Sequence, residues 1–307
     1  MSYNHLLADK SDRLFKRAAI IQAIRIFFLK EGYLEVETPL LLPTIAPETH
    51  IDPTQAGNLF LQTSPEICMK RLVAAGYNKI FQISHCWRTG ERGSRHIPEF
   101  TMLEWYRTGI EYKTLMKETE AMIRFLLDST RSSTCFKYLD ETIDLSADWD
   151  YITVNDAFLR YTDQTMEQAL IDNQFDQLMI EKIEPCLGRS KPAFLLDYPA
   201  CRGALAKLKD GDRSVAERFE LYMAGIELAN GFSELNDPVE QKARFQEEYC
   251  SRVASGGIVS PLPEKFLAEL VNLPQTAGIA LGIDRLVMLL TDAETIDQVV
   301  AFTPEEL

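Results

Sequence analysis

The chain has 307 residues, of which 46% are hydrophobic and 25% are charged, and its formal net charge is −14. This composition suits a globular protein with one large core or two modest ones. The longest apolar stretch near the start, residues 18–29, contains Gln22 and Arg25 and is too short and too polar to span a bilayer. No signal peptide is recognisable, so we expect a cytoplasmic protein without a membrane partner.

The charge and the cysteines narrow the class further. Proteins that bind nucleic acid generally present a basic patch, because neutralisation of phosphates drives the binding. No dense run of lysine or arginine occurs here, and this disfavours a tRNA partner without excluding one. The six cysteines are scattered, with no C-x-x-C or zinc-finger spacing. We therefore expect reduced structural thiols.

The predicted elements mix helices and strands without a regular strand–helix–strand rhythm. A first helix is predicted at 11–31, with Ser11 as its cap and Gly32 after its end. Further helices are predicted at 64–76, 112–128, 238–254 and 263–272 and from 284 onward, and strands at 33–37, 79–84, 99–107, 193–196 and 218–232. Residues 129–190 give weak signals and read as mostly polar and helical. The pattern favours an α+β fold with an antiparallel sheet.

Three glutamates, Glu220, Glu227 and Glu234, recur every seven residues. On a helix they would form one acidic stripe, and a solvated face is the simplest interpretation. Glycines and aromatic residues in this segment favour strands instead. A hairpin turning at residues 224–225 would place Glu220 opposite residue 229 and residue 222 opposite Glu227. The two glutamates would then be diagonal neighbours on one face, where they repel unless a cation such as Mg²⁺ lies between them.

The third glutamate has the wrong parity for that face. Glu234 lies an odd number of residues beyond Glu227, so a regular strand would point it to the opposite side. A bulge at Asn230 and Gly231 would restore the parity. The solvated-stripe and metal-site interpretations both stay open on spacing alone.

Two arginines are candidates for binding phosphate groups. Arg88 ends a predicted strand, and Arg285 follows a glycine-rich strand at the start of a helix. Each by itself is typical of a structural ion pair. Together they suit an enzyme that acts on ATP, because the planar guanidinium group keeps its charge and can stabilise charge that develops at the α-phosphate.

Three segments, taken in order, resemble motifs 1, 2 and 3 of the class II aminoacyl-tRNA synthetases. They are residues 32–39 after the first helix, Arg88 with the segment 95–104, and residues 278–285. Residues 227–237 together with 63–66 resemble the lysyl branch of that family. The resemblance covers 11–107 and 193–303 and is poor over 108–192. It implies a single catalytic domain over 1–307, with an antiparallel sheet flanked by helices and a weakly matching helical insert at 108–192.

The resemblance also implies an activity and partners. The first motif begins near residue 11, so no anticodon-binding domain is expected before it. This arrangement is similar to truncated paralogues of lysyl-tRNA synthetase that activate (R)-β-lysine with ATP and attach it to elongation factor P. Ala280 stands where lysyl-tRNA synthetases typically have glycine, and one methyl group there could shift the preference between lysine and (R)-β-lysine. Motif 1 implies a homodimer formed through residues 11–39.

Residue roles follow from the same resemblance. Arg88 and Arg285 would act in catalysis, and Glu220 and Glu227 would bind Mg²⁺. The implied ATP-binding residues are Arg88, Glu91, His96, Phe100, Glu227, Leu228, Gly282 and Arg285. The implied substrate-binding residues are Ser64, Pro65, Glu66, Glu104, Tyr106, Asn230, Glu234 and Ala280.

Two positions depart from the family pattern, and both concern the nucleotide. Gly90 stands where the family has a glutamate, with Glu91 next to it as a possible substitute, and Ile97 stands where the family has an asparagine. Two alternatives to protein modification therefore stay open. One is a lysine-activating enzyme that charges tRNA or a carrier protein, and the other is a catalytically weakened paralogue that binds a ligand.

Overall fold

The structure, a computed structural model, describes residues 7–131 and 133–307. The helices are α1 (Ser11–Lys30), α2 (Glu66–Ala74), α3 (Tyr112–Arg131), α4 (Val154–Tyr161), α5 (Met166–Ile171), α6 (Phe175–Leu178), α7 (Pro238–Ala254), α8 (Glu264–Glu269) and α9 (Ile283–Leu290). The strands are β1 (Leu34–Glu35), β2 (Leu41–Leu42), β3 (Gln55–Ala56), β4 (Leu59–Leu61), β5 (Lys79–Trp87), β6 (Glu99–Thr108), β7 (Cys135–Tyr138), β8 (Glu141–Asp144), β9 (Asp150–Thr153), β10 (Ala193–Pro199), β11 (Leu208–Lys209), β12 (Asp212–Met223), β13 (Ile226–Ser233) and β14 (Thr276–Gly282).

One large sheet organises the molecule. Its strand order is β1-β5-β6-β14-β13-β12-β10-β9, with β11 paired to β12. The interior pairs are antiparallel, and the parallel pairs β1–β5 and β9–β10 lie at the two edges. The predicted α+β class is therefore confirmed, with an antiparallel sheet that carries one parallel strand at each end.

The two faces of this sheet have different surroundings because side chains alternate along each strand. On one face Phe81, Trp105 and Ile279 belong to the main hydrophobic core with residues of α1, α3 and α9. Phe28 of α1 stacks on Phe81 at a centroid distance of 4.8 Å and meets Trp105 edge-on. The opposite face carries a second hydrophobic cluster, in which Ile80 and Phe232 pack with residues of α2 and α8, and the polar residues of the cleft described below. No helix in the described part is long and apolar enough to cross a membrane.

Two local predictions were wrong. Ser11 does not cap α1; the helix begins at Ser11 itself after Lys10, whose backbone is already helical, and no side chain caps it. Residues 135–153, predicted as helical, form β7, β8 and β9. The buried side chains of Phe136, Tyr138 and Ile143 alternate along the β7–β8 hairpin, and tertiary packing decides their conformation.

Helices do occur where they were predicted in the remainder of 129–190, as α4 to α6. The strand β9 joins the main sheet through β10, so this segment contributes to the same sheet as the motif-bearing strands. A single catalytic domain over 1–307 stays a prediction, and residues 1–6 and 132 of that range lie outside the described part.

The β12–β13 hairpin turns at Ala224 and Gly225, as predicted, with φ values of 52° and 68°. Both values are positive, as the tight turn of a two-residue hairpin requires. Tyr222 lies opposite Glu227 as predicted, but Glu220 lies opposite Asn230 and not opposite residue 229.

The cause is a β-bulge placed differently from the prediction. Leu221 pairs with Ala229 and Tyr222 pairs with Glu227, so Leu228 is the extra residue of β13. The bulge predicted at residues 230–231 is therefore found at Leu228. Its predicted consequence holds, because Glu227 and the residues at 230, 232 and 234 now share the parity of one face.

Candidate active site

A row of side chains crosses the open face of the sheet on five adjacent strands. In register from β5 to β12, the row consists of Gln82, Glu104, Ala280, Asn230 and Glu220. Cross-strand neighbours on one face lie about 5 Å apart. The strand pairing therefore brings together four residues predicted as binding or metal-ligand positions, which come from three separate stretches of the sequence.

Above this row lies a cleft with a volume of about 620 Å³. It is lined by every residue predicted for ATP and Mg²⁺ and by two of those predicted for the substrate, namely Arg88, Glu91, His96, Phe100, Glu220, Glu227, Leu228, Gly282 and Arg285, with Asn230 and Ala280. This volume and this mixed lining are typical of a small-molecule site. The cleft thus joins the residues predicted for ATP and Mg²⁺ to two of the eight residues predicted for the substrate.

Arg285 is held rigidly at the start of α9. Its Nη1 donates to the backbone carbonyl of Glu227 at 2.8 Å, and its Nη2 donates to Nε2 of His96 at 2.6 Å. Burial, and then the neighbouring Arg285 charge, lower the pKa of His96. The His96 ring is therefore neutral at neutral pH and accepts this hydrogen bond, which leaves a fixed cation at the cleft wall.

The buried carboxylate of Asp284 fixes the beginning of the same helix. It accepts hydrogen bonds from Arg17 at 2.5 Å and from the backbone N–H of Thr101 at 2.6 Å. These contacts tie α9 to α1 and β6, and they orient the preceding strand end toward the cleft.

Arg88 and Phe100 form another wall of the cleft. The guanidinium carbon of Arg88 lies 5.2 Å from the centroid of the Phe100 ring, and the carboxylate of Glu91 lies 3.8 Å from Arg88. Glu91 therefore lies beside Arg88, as expected for a substitute for the glutamate that Gly90 replaces. Ile97 is buried and also lines the cleft, so an apolar surface stands where the family has a polar one.

Glu220 is the most strongly anchored carboxylate of the cleft. It accepts hydrogen bonds from Tyr198 at 2.5 Å, Tyr222 at 2.7 Å and Arg218 at 2.6 Å. Burial, and then repulsion from the carboxylate of Glu227, raise the pKa of Glu220. From the sequence, the predicted hairpin identified only Glu220 and Glu227 as site residues on these two strands. Arg218 and Tyr222 stand two residues either side of Glu220 and could have been found by strand alternation, whereas Tyr198 carries no local signal.

The donor set fits Mg²⁺. Among the described residues there is no cluster of three or more histidine, cysteine, aspartate or glutamate side chains with metal-site geometry. Two repelling carboxylates on one face suit an ion that prefers oxygen ligands and completes its shell with water and phosphate oxygens. Glu184 is a further acid in this region, because burial and the charges of Glu220 and Glu227 raise its pKa to about 7.

The predicted substrate residues Glu66, Glu104, Tyr106 and Glu234 converge in a buried acidic cluster beside the cleft, which we call the acidic pocket. The hydroxyl of Tyr106 donates to Oε1 of Glu104 at 2.6 Å. Burial, and then the charge of Glu66, raise the pKa of Glu104 to about 8, and burial raises that of Glu234 to about 8. A methyl group on Gly278 would overlap both the Tyr106 ring and the Glu234 carboxylate.

This acidic pocket holds acceptors that need a donor. Within the described ranges, Oε2 of Glu104, Oε1 of Glu234 and Oε1 of Gln82 are buried and have no hydrogen-bond partner. Buried acceptors are normally satisfied, so three of them in one pocket indicate a missing donor group. An alkylammonium carries three N–H donors and one positive charge.

Ser64 and Pro65 stand at the start of α2. Oγ of Ser64 accepts a hydrogen bond from the backbone N–H of Glu66 at 3.1 Å, and both residues lie outside the cleft lining. This contact fixes where Glu66 enters the helix. A direct substrate contact by Ser64 or Pro65 stays a prediction.

Sequence reasoning missed Lys70. Its side chain is 1% exposed, and its ammonium lies 2.5 Å from Oε1 of Glu66 and in contact with Glu234. Burial lowers the pKa of Lys70, but the charges of Glu234 and Glu66 outweigh it and the net shift is upward, so the group is protonated. The i,i+4 spacing from Glu66 was a usable signal for the first contact.

Comparison with known proteins gives one consistent result. Residues 2–306 match the family described as tRNA synthetases class II (D, K and N). The protein named elongation factor P–(R)-β-lysine ligase from Proteus mirabilis (strain HI4320) is 40% identical over 307 residues, covering 94% of each chain. Proteins of the same name from Pectobacterium atrosepticum, over 95% of each chain, and Salmonella paratyphi B, over 94% of each chain, are also 40% identical.

Proposed function

The chain belongs to the class II tRNA synthetase family of the D, K and N type, and from this premise we propose that it activates (R)-β-lysine with ATP and transfers it to a lysine side chain of elongation factor P. The relatives named for this activity support the substrate and the acceptor. Because ATP and elongation factor P are cytoplasmic, we expect the enzyme to work there.

One observation carries the proposal. A cleft with fixed arginines on its walls lies beside a buried acidic pocket whose acceptors have no partner in the described structure. Burial of an unpaired charge is costly. A lysine-type side chain satisfies the pocket, and its far end then lies along the row that leads to Ala280, Asn230 and Glu220.

In the first step, a carboxylate oxygen of the amino acid forms a bond to the α-phosphorus of ATP. The bond from that phosphorus to the bridging oxygen of the β-phosphate breaks, and pyrophosphate leaves. Arg88 and Arg285 would hold phosphate oxygens from two sides as charge develops. Mg²⁺ held by Glu220 and Glu227 would supply charge neutralisation at the phosphates.

In the second step, the neutral ε-amine of the acceptor lysine attacks the carbonyl carbon of the adenylate. The bond to the phosphate oxygen breaks, AMP leaves, and the amine proton passes to solvent. No nucleophilic side chain of this protein is needed. Its residues bind the substrates, orient them and neutralise charge.

The decisive experiment is the intact mass of purified elongation factor P after incubation with the enzyme, ATP and (R)-β-lysine. We expect a shift by one lysyl residue that maps to a single lysine, and none without ATP. Pyrophosphate exchange should depend on the amino acid. Exchange with lysine but none with (R)-β-lysine would contradict the proposed substrate, and nucleotide binding without any exchange would favour the weakened paralogue.

Acylation of tRNA is the competing enzymatic activity, and the same reaction can test it. The chain's acidity argues against tRNA as the acceptor. With total tRNA in place of elongation factor P, we expect activation of the amino acid but no acid-precipitable aminoacyl-tRNA. Efficient charging of tRNA would overturn the choice of acceptor.

We also propose a homodimer formed through residues 11–39. Phe15 of α1 is 75% exposed, and Ile26, Leu29 and Leu34 are exposed in the same segment. Exposed apolar residues concentrated on one segment indicate an interface. Sedimentation should give twice the chain mass, and Leu29→Glu should give a monomer. A stable monomer of the parent protein at micromolar concentration would contradict the proposal.

A further inference from the structure

Lys70 is a buried cation inside the pocket that is proposed to receive the cation of the substrate. It projects from α2 one helical turn after Glu66, contacts the carboxylates of Glu66 and Glu234, and lies over the ring of Phe232 at 5.1 Å. With 1% of its side chain exposed, it has no access to solvent. Burial of a charged group costs free energy unless its partners offset that cost. Here the carboxylates of Glu234 and Glu66 stabilise the charged form of Lys70 by more than burial disfavours it.

The charges of the pocket do not balance with Lys70 alone. Three carboxylates face the space, namely Glu66 from α2, Glu104 from β6 and Glu234 from the end of β13. Tyr106 is the other titratable group, and Glu48 is the next acid along the cleft, near Arg88 and Arg218. Within the part of the chain that the structure describes, Lys70 is the cation that forms ion pairs with this trio, through Glu66 and Glu234.

The remaining acceptors show where the second cation belongs. Lys70 contacts Oε1 of Glu66 and Oε2 of Glu234. The hydroxyl of Tyr106 donates a hydrogen bond to Oε1 of Glu104. Oε2 of Glu104 and Oε1 of Glu234 are left unpartnered among the described residues. The position of Lys70 thus decides which oxygens are used internally and which are free for a ligand.

We propose that Lys70 is a positioning residue, a fixed internal counter-ion that holds Glu66 and Glu234 and leaves Glu104 and Glu234 to bind a single alkylammonium. The inference rests on the proposed function for the identity of that alkylammonium. It adds a specificity element, because the two oxygens that Lys70 and Tyr106 leave without a partner, Oε2 of Glu104 and Oε1 of Glu234, offer acceptors to one ammonium group.

Removal of this charge should act on amino-acid binding more than on chemistry. Without Lys70 the three carboxylates repel one another, retain protons to higher pH and turn away from the substrate. We expect Lys70→Met, a neutral residue of similar length, to raise the KM for the amino acid about 10- to 100-fold in pyrophosphate exchange. The kcat and the KM for ATP should stay within about threefold.

Two variants accompany the test. Lys70→Arg keeps the charge and should recover most of the lost affinity, which a purely steric role would not predict, since arginine fits the space less well than methionine. Lys242→Met is the matched surface control, because Lys242 is exposed and forms a long ion pair with Glu264 at 3.4 Å. It should leave all kinetic constants unchanged.

A second readout does not need activity. In protein labelled with ¹³C at glutamate carboxyl carbons, the carboxyl groups of Glu104 and Glu234 should titrate near pH 8, and Lys70→Met should move their pKa values still higher. Unchanged titration together with a KM within twofold would overturn the role of Lys70. Absence of exchange in the parent enzyme would instead count against the proposed function, and the titration would still decide the role of Lys70.

If Lys70→Met does not fold, Lys70→Met combined with Glu66→Gln removes one charge of each sign. A charge-balancing role predicts that the double variant folds and recovers most of the melting temperature that the single variant loses. A double variant as unstable as the single one would contradict the proposal.

Discussion

Gly278 and Tyr106 are direct partners across the β6–β14 ladder, and the absence of a side chain on Gly278 is what lets the Tyr106 ring and the Glu234 carboxylate approach each other. The acidic pocket therefore depends on a position that has no side chain. This relationship gives the first prediction.

Gly278→Ala should damage amino-acid use selectively. The added methyl group overlaps the Tyr106 ring and Glu234, so the pocket must widen or its acids must move. We expect kcat/KM for the amino acid in pyrophosphate exchange to fall about 10- to 100-fold. Thermal stabilisation by ATP serves as the internal control and should persist. An unchanged KM for the amino acid would show that the pocket is not where the substrate binds.

The KM for the amino acid should depend on pH with a defined sign. The pKa values of Glu104 and Glu234 are about 8 in the free protein, so these groups bind protons below that pH. An alkylammonium binds their ionised form, so binding releases protons. We therefore expect the KM to fall as pH rises from 6.5 to 8 and to level off above. A KM that is flat over this range would be inconsistent with a carboxylate pocket of this kind.

Calorimetry in two buffers supplies the control for that pH dependence. Proton release on amino-acid binding at pH 7 should appear as a difference in heat between buffers of different ionisation enthalpy.

Arg285→Lys should impair the chemical step. The guanidinium reaches both the carbonyl of Glu227 and Nε2 of His96, and a single ammonium cannot reproduce this two-point contact. We expect kcat to fall about 10²- to 10³-fold, as for loss of one preorganised donor, with little change in the KM for the amino acid. Arg92→Lys is the matched control, since Arg92 forms exposed ion pairs with Asp297 and Glu305. Equal losses in both variants would point to a general effect of arginine replacement.

Ala280→Gly should change the choice between lysine and (R)-β-lysine. Ala280 lies between Glu104 and Asn230 in the row and lines the cleft, so its methyl group would limit where the amino and carboxyl groups of the proposed substrate lie. We expect the ratio of kcat/KM values to shift toward lysine by about tenfold. Ala277→Gly on the opposite, core-facing side of β14 should lower the melting temperature without changing that ratio.

The sequence allowed the family and much of the site to be predicted because these features depend on local signals. The turn at Ala224 and Gly225 and the alternation along β12 were enough to place Glu220 and Glu227 on one face. The resemblance to synthetase motifs added the arginines and the pocket acids, and the structure places these residues around one cleft and its adjoining pocket.

Features that depend on distant contacts were missed. The bulge at Leu228 has no marker such as glycine, and the interlocking of β12, β13 and β14 decides its position. The contact of Lys70 with Glu234 joins residues far apart in the sequence. Strands β7 and β8 have weak local preferences and owe their form to packing of side chains such as Phe136 in the core.

The bulge at Leu228 makes strand length itself a component of the active site. On one side of it lies Glu227, proposed for the phosphate half, and on the other side lie Asn230 and Glu234, proposed for the amino-acid half. A strand shortened by that one residue would keep every functional side chain in the chain and yet turn one half toward the core. The number of residues in β13 therefore determines whether both halves of the proposed site face the cleft, so an insertion or deletion there would matter as much as a substitution.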